Sequence, residues 1–419
     1  MLHQDPVVTP VGNVDWASKL AKRTAGMKSS VIRELLKLTQ QPHIISFGGG
    51  LPAPELFPVQ EVAEACARVL ANNGPRALQY STTEGDMELR TYLARSMSRP
   101  DLAVEPDNLL ITNGSQQALD LIGKLFVEPG GCLMTSEPTY LGALQAWSPF
   151  EPRYLTVPQD DDGMLVDEIP AILKRSPKPR LLYVLPNFHN PAGVTISLER
   201  RRRLAEIARE HDLVIIEDDP YGELRFEGDE ITHFYRMAPE RTIYLSTFSK
   251  TLAPGFRVGW VTAPKDVVRK FVLAKQGADL HTGTLTQMVL ADVCKGGLLE
   301  RHVPRIREVY RERRNAMLAA MGEHWPEGCS WTRPRGGLFL WARVPEGLKT
   351  AEMLPKAVEL KVAYVPGLAF YPEERGGYDA MRLNFSNASV ADIQEGIRRL
   401  GGVFKAEIAA LKGKGSAKR

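Results

Sequence analysis

Residues 181–221 read LLYVLPNFHNPAGVTISLERRRRLAEIAREHDLVIIEDDPY. The apolar run Leu181–Leu185 is followed by a polar loop, Pro186–Gly193. Next comes Ser197–His211, where Leu204, Ile207 and Ala208 recur at helical spacing, and then a second apolar run, Leu213–Glu217. A strand, a helix and a second strand in that order form a βαβ crossover, which requires parallel strands with a helix over one face. The pattern extends in both directions. Leu109–Thr112, Cys132–Thr135 and Thr242–Ser246 also read as buried strands, and Gln116–Phe126 as a helix between two of them. Strands apolar on both faces belong in a parallel sheet covered on both sides. Val258–Ala263 follows Thr242–Ser246 after a loop too short for a helical crossover, so it is expected to pair antiparallel. After about residue 300 the rhythm changes to a long charged helix around His302–Met321, strands at Gly337–Val344, Val362–Val365 and Met381–Phe385, and a helix from Val390.

The fold class expected is α/β: a large domain with a mostly parallel sheet flanked by helices, plus a small α+β domain built from N- and C-terminal segments. The boundaries expected are 1–50 for an N-terminal segment that carries a mobile first helix and joins the small domain, 51–305 for the large domain and 306–419 for the small C-terminal one.

Bulk features exclude more than they identify. The chain has 419 residues, 53 Lys+Arg against 50 Asp+Glu, and a net charge of +3, too little to call for nucleic acid or an acidic membrane. Four scattered cysteines form no C-x-x-C pair, and eight histidines form no H-E-x-x-H, so neither a disulfide scaffold nor a metal site is expected. The N-terminus lacks a signal-peptide pattern, and no stretch has the roughly 18 uninterrupted apolar residues of a membrane span. A cytoplasmic enzyme is the expectation. Arg200–Arg203 reads as a solvated helix face with Glu199 and Glu206 nearby.

In open α/β sheets, ligands bind outside the carboxyl ends of the strands. Those ends here carry Asn113-Gly114-Ser115-Gln116, Pro186–Gly193 with Asn190, Asp218-Asp219-Pro220-Tyr221, and Thr247-Phe248-Ser249-Lys250. Gly114-Ser115-Gln116 at a helix start offers free N–H groups and the positive dipole end, which favour a phosphate. Ser249 and Thr247 add hydroxyls, and Arg257 adds a guanidinium seven residues past Lys250. A lysine beside phosphate donors, with an acid and a phenol on neighbouring strands, suits an aldehyde cofactor. The amine forms a Schiff base, the acid keeps a pyridine nitrogen protonated, and the phenol holds the ring oxygen. In MRLNF, period-2 alternation sets Arg382 and Asn384 opposite Met381, Leu383 and Phe385, so Arg382 calls for a carboxylate partner.

These segments resemble the class I/II aminotransferases of the pyridoxal-phosphate fold-type I group, and most closely the branch of 2-aminoadipate, kynurenine and aromatic amino-acid aminotransferases. The matching stretches are Ser30–Gln40, Ile45–Pro58, Tyr80-Ser81 with Gly85, Thr112–Leu119, Pro186–Gly193, Glu217–Tyr221, Thr247–Trp260 and Arg382–Ser386. They span residues 30–386 in the family's order.

The resemblance implies that Lys250 bonds the cofactor pyridoxal 5'-phosphate and moves the substrate proton. Asp218, rather than Asp219, would pair with the pyridine nitrogen. Asn190 and Tyr221 would hold the ring oxygen, and Tyr140 would stack on the ring. Ser115, Gln116, Ser249, Arg257 and Thr247 (where serine is commoner in the family) would bind the phosphate. Tyr80 would reach the phosphate of the neighbouring subunit, implying a homodimer. Arg382, with Asn190 and Gly50, would hold the substrate α-carboxylate. Ser30 and Arg33 begin a first helix in which Arg33 would read a distal carboxylate. The activity implied is transamination of an L-amino acid with a 2-oxo acid, 2-oxoglutarate being the acceptor expected. The cofactor residues alone leave open a β-lyase or decarboxylase on the same scaffold. A regulator is not expected, because fewer than 30 residues precede Ser30, too few for a helix-turn-helix module.

Overall fold

The computed structural model describes residues 14–27 and 44–416. Ser30 and Arg33 lie outside the described residues.

The first strand, β1 (Ile45–Ser46), is short and leaves the large sheet to its successors. Those are β2 (Leu109–Thr112), β3 (Cys132–Glu137), β4 (Arg153–Asp160), β5 (Gly163–Met164), β6 (Leu181–Val184), β7 (Val214–Asp218), β8 (Thr242–Thr247) and β9 (Gly259–Thr262). They form an eight-stranded sheet in the order β2-β9-β8-β7-β6-β3-β4-β5. The central run β8-β7-β6-β3-β4 is parallel throughout. As the short loop requires, β9 runs antiparallel to β8, and it also pairs antiparallel with β2. β6, β8 and the core of β7 are buried along their length, because helices cover both faces.

The chain leaves β3 toward β4 on one side and leaves β6 toward β7 on the other. β3 and β6 are neighbours, so the crevice of this topology opens between their carboxyl ends. β4 (RYLTVPQD) carries no clear signal in the sequence. Its half-buried residues and Pro158 fit a strand near the sheet border, paired on its outer side only with the two residues of β5.

The later strands are β10 (Ser330–Trp331), β11 (Phe339–Arg343), β12 (Val362–Ala363), β13 (Val365–Pro366) and β14 (Ala380–Asn384). A four-stranded antiparallel sheet is ordered β10-β11-β14-β13, while β12 pairs in parallel with β1. The chain beyond β1 stays in this neighbourhood, since Asn384 N–H donates to the Phe47 carbonyl. Helix Val390–Ser416 packs on helix Leu298–His324, with Trp325 edge-on to Phe404 at 4.9 Å between ring centroids.

The arginine run departs from the solvated face read in the sequence. Arg200 and Arg203 do pair with surface acids, Asp160 and Glu206. Arg201, however, is fully buried and donates to the carbonyls of Ile196, Pro186, Ile231 and Thr232 and to Asn187 Oδ1. Five acceptors compensate its desolvation. They also tie helix Leu198–Glu210 to the loop that follows β6. Among the described residues, no helix is long and apolar enough to cross a membrane.

At Gly396 the C-terminal helix touches the N-terminal segment directly, since a Cβ there would lie 2.6 Å from Phe47 Cζ. Gly396→Val is therefore expected to lower the thermal midpoint and to speed protease cleavage near Phe47. Unchanged cleavage would show that this contact does not anchor the segment.

Candidate active site

The carboxyl ends of β6, β7 and β8, the turn after β2 and the strand β14 bring their polar residues together. Asp218, the last residue of β7, is almost completely buried. Its Oδ2 accepts a 2.7 Å hydrogen bond from the Tyr183 hydroxyl on β6, and its Oδ1 has no partner. Burial pushes its pKa up to about 7, the Tyr183 hydrogen bond opposes the rise, and neighbouring Asp219 adds to it. A buried carboxylate oxygen with nothing bound is suited to a protonated ring nitrogen. Asp219 is engaged elsewhere: its Oδ1 accepts the Gly222 N–H, and its Oδ2 lies 3.5 Å from His233 Nδ1. Of the two neighbouring acids, Asp218 keeps an unpartnered oxygen while Asp219 is engaged.

After β6, Asn190 sits in a loop held by Arg201 at one end and by His189 at the other. His189 pairs with Ser136 at 3.0 Å and accepts the Ala192 N–H, and burial lowers its pKa to about 3, so it is a neutral strut. Asn190 Nδ2 lies 3.4 Å from the Tyr221 hydroxyl, and Asn190 Oδ1 accepts 2.9 Å from Arg382 Nη1. Arg382 is 1% exposed, donates through Nη2 to the Gly48 carbonyl at 2.6 Å, and leaves Nε without a partner. Its guanidinium carbon lies 4.2 Å from the Phe339 ring centroid and 5.0 Å from that of Phe370. Burial lowers its pKa to about 10, so it stays charged near neutrality. An aromatic-walled guanidinium with an unused N–H is built for a carboxylate.

Lys250 Nζ donates to the Gly50 carbonyl at 2.8 Å, two residues from the carbonyl that Arg382 holds. Burial, and then the positive charges of Arg382 and Arg257, lower its pKa to about 8. An appreciable fraction of the amine is therefore neutral and nucleophilic near neutral pH. Tyr140, directly before helix Leu141–Trp147, has its hydroxyl pKa raised to about 12, first by burial and then by Asp218.

On another side, the crevice meets the N-terminus of helix Gly114–Phe126, where an anion could be held. Gly114 has φ +69°, and a Cβ there would lie 2.6 Å from Arg257 Nη2, so only glycine lets the guanidinium approach the helix end. Ser115 and Gln116 follow in the first turn, where N–H groups have no intrahelical acceptor. Gln116 Nε2 is already committed to the Gly142 carbonyl at 2.9 Å. The Thr247 hydroxyl lies 2.9 Å from both Ser249 Oγ and the Val258 carbonyl, and it accepts the Ser249 N–H at 3.1 Å, so it braces the turn that carries Ser249. Tyr80 stands apart, 78% exposed and edge-on to His281.

Sequence reasoning missed Tyr183, whose signal was a phenol inside an otherwise aliphatic strand, and Gly48, whose carbonyl holds Arg382 and leaves no side-chain signal. Gly50, expected beside the substrate carboxylate, is here the carbonyl acceptor of Lys250 Nζ. A separate cavity of about 800 Å³ opens behind the ends of β7 and β8, lined by Asp219, His233, Thr247 and Trp260 among others, and not by Lys250, Asn190 or Arg382. Among the described residues no His, Cys, Asp and Glu cluster could hold a metal ion.

A lysine, a buried acid with one unpartnered oxygen, a phenol, a helix N-terminus and a buried arginine thus surround one crevice, a set with which an enzyme could hold a phosphorylated pyridine aldehyde. Residues 42–400 match the family "Aminotransferase class I and II", and the chain belongs to that family. It is 46% identical to aromatic-amino-acid aminotransferase 1 of Thermococcus litoralis, over 94% of this chain and 96% of that one. It is 44% identical to the 2-aminoadipate transaminase of Thermus thermophilus, over 95% of this chain and 99% of that one. The crystal structure of α-aminoadipate aminotransferase from Thermus thermophilus, complexed with N-(5'-phosphopyridoxyl)-L-leucine, superposes with a TM-score of 0.89 at 42% identity, covering 95% of this chain and all of that one. The protein is a pyridoxal-phosphate-dependent aminotransferase.

The raised pKa of Asp218 carries a stability consequence. A carboxyl whose pKa is higher folded than unfolded binds more protons in the native state, so stability falls as pH climbs from about 4 to about 7. In the cofactor-free protein, Asp218→Asn is expected to raise the melting temperature relative to the parent by an increment that grows across this range. A pH-independent increment would contradict the assignment.

Proposed function

We propose that the enzyme transaminates an L-amino acid, drawn from 2-aminoadipate, glutamate, aromatic and branched-chain donors, with 2-oxoglutarate as acceptor. The donor leaves as its 2-oxo acid before the acceptor enters, in a ping-pong cycle. The observation that carries this reading is the chain of contacts from Tyr221 through Asn190 to Arg382, beside Lys250, with Arg382 and Lys250 both held by the Gly48–Gly50 segment. It sets a carboxylate site next to an amine base.

In this reading Arg382 takes the substrate α-carboxylate in two parallel hydrogen bonds, with Asn190 and Gly50 completing that side. Lys250 takes the proton from the substrate α-carbon and returns it, which its pKa of about 8 allows near neutrality. Asp218 pairs with the pyridine nitrogen and Tyr183 holds it in place. Tyr221 and Asn190 hold the ring oxygen, and Tyr140 covers the ring face. Ser115, Gln116, Ser249 and Arg257 bind the phosphate, and Thr247 supports Ser249. When bound, pyridoxal phosphate serves as the electron sink that acidifies the α-carbon. Tyr80 and Leu78, 78% and 74% exposed, belong to a surface suited to a second copy of the chain, and Tyr80 then reaches that copy's phosphate. On the resemblance, Arg33 reads the distal carboxylate of acidic substrates.

Incubation with L-glutamate and no acceptor should yield about one 2-oxoglutarate per active site, and Lys250→Ala none. A β-lyase or decarboxylase would release no 2-oxoglutarate, which would overturn the proposal. Arg33→Ala should lower kcat/KM at least tenfold for 2-aminoadipate and glutamate while changing it less than threefold for phenylalanine. A uniform loss would remove Arg33 from substrate recognition.

A further inference from the structure

The anion cradle and the segment bearing Tyr80 lie on different parts of the chain, yet residues 275–284 bond to both. Lys275, in helix Lys265–Asp279, has a fully buried side chain. Its Nζ donates to Gln117 Oε1 at 2.8 Å and to both carboxylate oxygens of Asp279 at 2.7 Å. Asp279 Oδ2 in turn accepts from Asn113 Nδ2 at 2.5 Å and from Gln117 Nε2 at 2.7 Å. Gln117 Oε1 also accepts the Asn113 N–H at 2.8 Å. Asn113 immediately precedes the cradle helix, and its side chain caps no N–H of that helix. Both polar groups that could loosen the Asn113-Gly114-Ser115 turn are thus fixed from behind by one ion pair.

The next residues turn sharply. Leu280 has φ 65° and ψ −59°, and His281 N–H donates to the Asp279 carbonyl at 2.8 Å. This is a γ-turn, strained for a leucine and held only where the surroundings over-determine it. What lies beyond it is the Tyr80 segment. His281 Nε2 accepts the Ser81 N–H at 3.3 Å, its ring meets Tyr80 edge-on, and the Thr284 hydroxyl donates to the Gln79 carbonyl at 3.0 Å. Gln287 bridges the Thr282 carbonyl and the Asp86 N–H, both at 2.7 Å, closing the same loop.

We propose that Lys275 and Asp279 are positioning residues for phosphate binding, which fix the helix-end cradle through Asn113 and Gln117 and, across the Leu280 turn, the segment that presents Tyr80. The inference rests on the reading that Ser115, Gln116 and Arg257 receive the cofactor phosphate. Neither residue belongs to the substrate pocket, so the pair acts on the phosphate rather than on the aldehyde or the amino acid.

The test compares two probes on the full-length chain stripped of cofactor: pyridoxal 5'-phosphate and pyridoxal, which lacks the phosphate. The parent is expected to bind the phosphorylated probe far more tightly. Asp279→Asn, nearly isosteric, is expected to shrink that preference at least tenfold while leaving the pyridoxal Kd within threefold. A merely structural role would weaken both probes together and leave the ratio unchanged, which overturns the proposal. Asn113→Ala removes the same contact without exposing the buried lysine and is expected to shift the ratio in the same direction. If it does not, the cradle is not held from this side. A parent that binds both probes equally would instead overturn the phosphate reading itself. For the Tyr80 half, a double-mutant cycle of Asp279→Asn with Tyr80→Phe is expected to be non-additive by at least threefold in the Kd for pyridoxal phosphate. Additive effects would detach Tyr80 from the pair.

Discussion

Asp218 is a carboxyl group removed from water at the end of a buried strand, with one hydrogen bond from Tyr183 and one oxygen left bare. Leaving such a group ionised and unpaired costs several kcal/mol, and the same low dielectric that imposes this cost strengthens any opposite charge brought beside it. Much of the large sheet serves this one arrangement. The register of β6 against β7 sets the Tyr183 hydroxyl against Asp218, and helices over both faces keep water away. On the proposed function, the buried carboxyl would also favour a ring that can carry a proton. A solvated aspartate would neither raise the ring's basicity nor bind it with comparable strength.

The substrate side is built by the opposite strategy. Arg382 is as deeply buried, but carbonyl, amide and two aromatic rings surround it, so its charge is stabilised in place while Nε stays open. Its supports come from distant parts of the chain: Gly48 from the segment after β1, Asn190 from the loop after β6, and Phe339 from β11. The pairing of β1 with β12, the contact of Phe47 with Gly396, and the antiparallel partners of β14 bring these together. On the proposed function, carboxylate recognition would depend on segments near both ends of the chain, whereas the groups proposed to face the cofactor ring sit mainly on the parallel sheet.

The strand ends were legible in the sequence because parallel strands are apolar throughout, so the first polar residues after each run mark its carboxyl end. That reading locates Asn190, Asp218, Tyr221, Ser249 and Lys250, and the short loop before β9 predicts its antiparallel pairing. Backbone carbonyls leave no such mark: the resemblance pointed to Gly50, but not to its carbonyl as the acceptor of Lys250, nor to Gly48 as the acceptor of Arg382. Tyr183 looked like any buried aromatic in a strand. Lys275 and Asp279, four residues apart on a helix, look like an ordinary surface pair, and only the packing of that helix against the cradle shows the lysine buried. Arg201 was obscured for a related reason: a run of four arginines suggests water, while helical periodicity turns one of them inward.

The central claim is that burial of Asp218 sets the protonation of the cofactor ring. The ¹⁵N chemical shift of the pyridine nitrogen, measured on enzyme reconstituted with labelled pyridoxal phosphate, reads this directly. The account predicts a protonated nitrogen from pH 6 to pH 9 in the parent enzyme and an unprotonated one in Asp218→Asn. An unprotonated nitrogen in the parent at pH 7, or a protonated one that persists without Asp218, would contradict it.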